Sequence, residues 1–338
     1  MLFRSEVIFT SGGTEGDNAA IVGAITKHGG IAVCSSAEHH AVLHCVEHHG
    51  GSVVPTTTSG TIDLQALENV LATATTKVSV VSVMAVNNEV GSITPLRDVA
   101  RIVREHAPDA VLHTDAVQAA CWVDLAEIAP LVDVLTLSSH KFGGPKGMGV
   151  MMQRSGIELD PLILGGGQER DRRSGTHNVA GIVATAVALR ETSESRVEET
   201  ERVTKLRDRL VDDIRAQVAD CLETVPREQR VPGIAHLCFA DVENESLLFL
   251  LDEQDVFASA ASACASGAME PSHVLAAMGI DRASAFMGWA WRRLAPLNKR
   301  HARADAHLAA AMPHLTAAER ARILDGMWDN LEIGRAHV

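Results

Sequence analysis

The stretch VDVLTLSSHKFGGPKGMGVM, Val132 to Met151, carries an apolar run into Ser138-Ser139-His140-Lys141, and a glycine-rich turn with Pro145 follows at once. The run reads as a buried strand bounded by turn residues, which sets a lysine, with a histidine beside it, at the mouth of a strand. The same grammar holds upstream. VIFT (7–10), IAVCSS (31–36), GSVVPTTT (51–58), VSVVSVMAV (78–86) and AVLHTDA (110–116) read as strands. Between them DNAAIVGAITKHG (17–29), EHHAVLHCVEHHG (38–50), DLQALENVLATA (63–74) and LRDVARIVREHA (96–107) have helical spacing. Strands alternating with helices of this length predict an α/β fold with a mostly parallel sheet covered on both faces. Ligands of such sheets sit at the carboxyl ends of the strands.

Beyond this region a charge-rich helix is expected over about Ala180–Ala219, and PGIAHLCFA (232–240), ESLLFLLDEQDVFAS (245–259) and PSHVLAAMG (271–279) fit a smaller α/β domain. The 338 residues suffice for two domains. At 46% hydrophobic and 22% charged the composition is that of an ordinary soluble chain. No apolar run is long enough for a membrane span, and no signal peptide is visible. A net charge of −13 argues against nucleic acid as a partner. Six cysteines (34, 45, 121, 221, 238 and 264) lie far apart, without a CxxC pair. That pattern is neither a disulfide framework nor a metal site, and a reduced, cytoplasmic setting is expected.

Polar groups collect where apolar runs end: Asn87-Asn88-Glu89, His113-Thr114-Asp115 with Gln118, and Ser138 to Lys141. SGGTEGDN (11–18) is a glycine-rich turn opening a helix, which offers free backbone N–H groups to an anion. Singly, each group has an ordinary reading as a turn, a helix cap, a packed strand histidine or a surface lysine. Together, a phosphate cradle, a lysine, an aspartate and a histidine suit a cofactor with a phosphate, an aldehyde and a ring nitrogen. Pyridoxal 5'-phosphate has all three.

Seven blocks carry a resemblance: FTSGGTEGDNAAI (9–21), EHHAVL (38–43), VNNEVGSITPL (86–96), HTDAVQA (113–119), LSSHKFGGPKG (137–147), GGGQERDRRSGTHNVAGIV (165–183) and SACASGAMEPSHVLAAMG (262–279). In content and order they resemble cysteine desulfurases of the NifS/IscS type, within the class V aminotransferase group of pyridoxal-phosphate enzymes. The resemblance covers about residues 6–285 and implies a transferase fold of the aspartate aminotransferase type, with a seven-stranded sheet. It implies that Lys141 is the Schiff-base lysine, that Asp115 partners the pyridine nitrogen and that Gln118 bonds the phenolate oxygen. Gly13, Thr14, Ser138 and His140 match the phosphate cradle. His39 matches the histidine stacked on the ring and Asn88 an asparagine near the substrate. Thr176 matches a threonine that reaches the partner subunit's phosphate, hence a homodimer. Cys264 matches the mobile nucleophile that takes sulfur from L-cysteine as a persulfide, leaves L-alanine and serves an iron–sulfur scaffold or a tRNA-thiolation acceptor. Selenocysteine lyase, or another class V lyase, is the nearest alternative activity.

The pattern departs from the family at both ends. A front segment resembling YLDNAATTP and a later RFSLG block, whose arginine binds the substrate carboxylate, are not found; Arg292 and Arg293 stand in a different context. Residues 287–331, rich in Ala, Arg and Trp, resemble the N-terminal part of a lipid A biosynthesis acyltransferase without its HxxxxD block. MLFRS (1–5) and EIGRAHV (332–338) resemble translated sequencing adapters. The expected organisation is therefore a cofactor-binding large domain at 6–195, an incomplete small domain at 196–285, an unrelated helical tail at 286–331 and artefactual ends. A truncated chain that binds the cofactor without turnover is the corresponding alternative.

Overall fold

The computed structural model describes residues 6–260 and 272–280, with Thr316, Glu319 and residues 335–337. In chain order the first unit holds β1 (Val7–Thr10), α1 (Gly13–His28), β2 (Ile31–Ser35), α2 (His40–His48), β3 (Ser52–Val54), α3 (Leu64–Ala72), β4 (Val78–Ser82) and α4 (Leu96–His106). β5 (Val111–Asp115), α5 (Leu125–Ile128), β6 (Val134–Ser138), β7 (Gly149–Gln153) and, as far as Asp212, α6 (Val179–Gln217) follow. The seven strands form one sheet in the order β1-β7-β6-β5-β4-β2-β3. β3, β2, β4, β5 and β6 are mutually parallel, and β7 runs antiparallel to both β6 and β1. The mostly parallel order is what the alternation of strands and helices predicts, and the seven strands are what the resemblance implies.

The parallel strands are apolar on both faces, because helices cover both. Successive residues therefore enter different cores. Val80, Val111 and Val134 pack with Ala20, Ile21 and Ala24 of α1 and Val42 and Val46 of α2. Val81, Leu112 and Leu135 pack with Leu67 and Leu71 of α3 and Val99, Ile102 and Val103 of α4. The alternation places His113 and Asp115 of β5, and Thr136 and Ser138 of β6, on the α1 face of the sheet.

Several boundaries differ from the sequence reading. The strand expected over GSVVPTTT stops at Val54, where Pro55 has no N–H for a ladder. The β4 ladder ends at Ser82, although Val83 and Ala85 still donate to the carbonyls of His113 and Asp115. Helix α1 starts at Gly13, one turn before the expected Asp17. Gly16 therefore belongs to the first helical turn and not to a loop. Its lack of a side chain serves packing: a Cβ there would stand 2.5 Å from Thr136 Cγ2.

Among the described residues the compact units divide within α6: those up to Asp212 with Val225–Ala235 form one, and Asp213–Thr224 with those from His236 onward form the other. In the second unit β8 (Cys221–Glu223) pairs antiparallel with β9 (Leu237–Glu243), and β10 (Arg335–His337) pairs with β9 on its other side. The helices α7 (Asn244–Asp252) and α8 (His273–Ala277) also belong to this unit. No helix among the described residues is long and apolar enough to cross a membrane.

The close approach of α1 to β6 yields a prediction opposite to helix propensity. Alanine would favour the helix by up to about 1 kcal/mol over glycine. Gly16→Ala should nonetheless destabilise the protein by about 1–3 kcal/mol through overpacking on Thr136. The midpoint of urea unfolding checks this, and an increased midpoint would refute it.

Candidate active site

The expected site residues of β5, β6 and α1 meet at the carboxyl edge of the sheet. Asp115 ends β5, Ser138 ends β6, and α1 begins at Gly13 immediately after β1. Glycine makes this meeting possible. A Cβ on Gly13 would lie 2.7 Å from Val117 Cγ2, and one on Gly149 would lie 2.6 Å from the backbone of Gly12. The N-cap residue of α1, Gly12, supplies no side-chain cap, so the first-turn N–H groups of the helix keep their donors for an anion. Ser138 is buried, with Oγ 3.0 Å from Nδ1 of the exposed His140, and Thr14 is exposed at the helix start.

Asp115 is buried, and its Oδ1 accepts the Val117 N–H at 2.8 Å. Burial pushes its carboxyl up to about 6, opposed by that hydrogen bond and by the charge of Lys141. Lys141 itself is exposed on the short 3₁₀ turn Ser139–Phe142, in the loop that joins β6 to β7. Partial burial and the charges of Lys141 and Lys146 together lower the pKa of His140. The lysine and histidine of the opening stretch thus face one electrostatic neighbourhood with Asp115.

The remaining expected residues have distinct placements. His39 is the half-buried N-cap of α2, and its Nδ1 accepts the Ala41 N–H at 3.1 Å. Asn88 and Gln118 are half-buried. Asn88 follows Asn87, whose buried side chain builds the turn by accepting the N–H groups of Glu89 and Val90 and donating to the Ala37 carbonyl. Thr176 is exposed in the loop before α6. Cys264 lies outside the described residues.

The sequence reading missed a set of buried acids behind Asp115. Asp17 of α1 is 1% exposed, and its Oδ1 has no hydrogen-bond partner and lies 3.6 Å from His113 Nε2. Burial, then the charges of Asp115 and Glu38, push the Asp17 carboxyl well above the usual range. Burial does the same to Glu38, opposed by the Met84 N–H that its Oε1 accepts. His113 is fully buried between Ser82 Oγ at 2.8 Å and Thr136 Oγ1 at 3.0 Å, and burial lowers its pKa to about 3. Its expected ordinary reading as a packed strand residue matches this. One signal was available for Asp17: it shares helical spacing with the apolar Ala20, Ile21 and Ala24.

This sheet and edge define an α/β scaffold of the fold type I pyridoxal-phosphate enzymes. The aminotransferase class-V family model matches residues 3–288. A cysteine desulfurase IscS from Clostridium botulinum is 38% identical over 292 residues, covering 83% of this chain and 72% of its own. Among solved structures, a NifS-like protein superposes with a TM-score of 0.72 at 34% identity, covering 82% of this chain and 74% of that one. A structure of SspA in complex with cysteine gives 0.64 at 30% identity, covering 82% and 78%. The chain belongs to the class-V aminotransferase family, in its group of IscS- and NifS-like cysteine desulfurases. Members of this family depend on pyridoxal phosphate. The residues here fit that group: an uncapped helix start suits a phosphate, a buried carboxylate suits a ring cation, and a nearby lysine suits an aldehyde.

The raised Asp115 carboxyl makes a signed prediction for the protein without cofactor. Between pH 3.8 and about 6 the folded chain holds a proton that the unfolded chain has released. Stability therefore falls as pH rises through that window, and the loss is complete above it. Asp115→Asn should stabilise the cofactor-free protein by on the order of 1–3 kcal/mol more at pH 7.5 than at pH 4. Urea unfolding at both pH values measures this, and an equal effect at both would show a solvated carboxylate.

Proposed function

We propose that the chain is a cysteine desulfurase, converting L-cysteine to L-alanine while Cys264 receives the sulfur as a persulfide. The observation that carries the reading is the meeting of buried Asp115, Lys141 and the uncapped start of α1 at one sheet edge. Pyridoxal phosphate would supply an aldehyde for the substrate amine and a ring that accepts electrons. Gly13, Thr14, Ser138 and His140 would hold the phosphate, Gln118 would bond the phenolate oxygen, and Asp115 would keep the ring nitrogen protonated. Lys141 would move the α-proton of cysteine, with His39 as the second proton carrier. Asn88 lies beside the substrate.

The sulfur step balances on this chain's own thiol. The Cys264 thiolate bonds to the substrate sulfur, and the substrate Cβ–S bond breaks with its electron pair left on carbon. That carbon takes a proton and becomes the methyl group of alanine. The persulfide then passes its outer sulfur to an iron–sulfur scaffold or a tRNA-thiolation acceptor. The thiolate is the reactive form, so Cys264 must be reachable by both substrate and acceptor.

The working unit in this reading is a homodimer in a cytoplasmic setting. Support for the dimer comes from apolar side chains left exposed near Thr176: Leu164 at 81%, Val179 at 66% and Val183 at 57%. A patch of this kind favours burial against a protein surface. Thr176 then reaches the phosphate bound by the partner.

Two variants test the proposal. Cys264→Ala should remove alanine formation from L-cysteine while leaving the visible absorbance of the bound cofactor intact. Lys141→Ala should remove both the activity and the absorbance of the lysine-linked cofactor. Faster alanine release from selenocysteine than from cysteine would favour a selenocysteine lyase. Cofactor absorbance without alanine from either substrate would identify a binding-only chain.

A further inference from the structure

The start of α1 is held by residues that the proposed function does not use. Arg173 reaches Glu15 with two donors: Nε to Oε1 at 2.7 Å and Nη2 to Oε2 at 3.1 Å. Glu15 Oε2 also accepts the Ser11 backbone N–H at 2.8 Å. Glu15 lies in the first turn of α1, and Ser11 is the residue before the Gly12–Gly13 turn. One carboxylate therefore ties the turn on one side and the loop of Arg173 on the other. The pair is sheltered, with side-chain exposures of 24% for Arg173 and 11% for Glu15.

Electrostatics gives this arrangement a direction. A carboxylate in the first turn of α1 stabilises the helix but competes with an incoming phosphate for the same positive end. Arg173 neutralises that charge in the two-pronged geometry that guanidinium and carboxylate favour. Burial would raise the Glu15 carboxyl, yet it lies below its ordinary value, because the hydrogen bonds of Arg173 and Ser11 outweigh the burial.

The loop is held from a second point as well. Glu169 Oε1 accepts the Phe9 N–H of β1 at 3.3 Å and lies 3.0 Å from His177 Nε2. Glu169, Arg170 and Asp171 run through three successive left-handed conformations, with φ of 49°, 58° and 64°. Non-glycine residues hold such a run only where surrounding contacts over-determine it. Those contacts aim Arg173 at α1.

We infer that Arg173 and Glu15 are a positioning pair that presents the start of α1 to the cofactor's phosphate, so that cofactor affinity depends on residues with no proposed contact to the phosphate. The inference rests on the reading of this edge as a pyridoxal-phosphate site.

The test compares two probes, pyridoxal 5'-phosphate and pyridoxal, titrated into cofactor-free protein and followed by absorbance. Saturable binding of the phosphate form by the unaltered protein establishes the site itself, and its failure would count against the proposed function. Given that binding, Arg173→Gln should weaken pyridoxal 5'-phosphate about tenfold, the size of one lost charge-assisted hydrogen bond, and leave pyridoxal unchanged. Unchanged affinity for the phosphate form, or equal losses for both probes, would overturn the inference. If Arg173→Gln does not fold, Arg173→Lys is read in the same way, since it keeps the charge and loses the two-pronged fit. A loss confined to the phosphate form supports the pair there too, and equal or absent losses refute it.

Discussion

A carboxylate kept out of water at the end of a central strand is the constraint on which this structure depends. Asp115 cannot be moved toward solvent without leaving β5, and β5 lies between β4 and β6 with helices on both faces. A buried carboxylate is costly unless a cation or donors meet it. Here the Val117 N–H and the charge of Lys141 meet it in part, and its carboxyl is still raised. The site therefore retains an unsatisfied preference for positive charge, which a protonated ring nitrogen would fulfil. Asp17 and Glu38 sharpen that preference, because further negative charge in the same pocket would oppose ionisation of all three acids.

Much of this organisation was legible in the sequence because the sheet is parallel and doubly covered. Its strands are near-continuous apolar runs, so their ends are easy to locate, and the polar residues just beyond them fall on one edge. Asp115 and Ser138 were found that way. Strand and helix limits were less legible where a single residue decides them, as with Pro55 ending β3 and the start of α1. Gly16 is the instructive case. A glycine after a glycine pair reads as loop, yet here it is helical and bare because Thr136 presses against it. The sequence holds no sign of that contact, since Thr136 is distant along the chain.

The contacts that hold the site's backbone in place were legible least of all. Glu15 and Arg173 belong to separate blocks, and nothing local joins an acid in one glycine-rich turn to an arginine before a distant helix. Asp17 and His113 became neighbours only once α1 had been laid across β5 and β6. Such pairings follow from topology, which fixes which elements touch. Residue patterns fix what each element is. The chemical letters of the proposed site stand in order along the sequence, and the contacts around them required the assembled sheet.

The reversed strand β7 has a consequence for how the site comes together. Ser138 pairs with Gly149 across a short loop, and the Ser139 N–H closes that loop on the Met148 carbonyl at 3.0 Å. The lysine thus rides on a hairpin that can close with little loss of chain entropy. β1, which delivers the glycine turn, pairs with the far side of the same strand, Val7 opposite Met152, between positions far apart along the chain. Contacts of such different sequence separation form on different timescales. The hairpin that carries Ser138, His140 and Lys141 is a local structure, whereas the start of α1 reaches the edge only when the N-terminal strand has found its place. Docking of β1 thus completes the sheet and brings the start of α1 to its carboxyl edge in the same step.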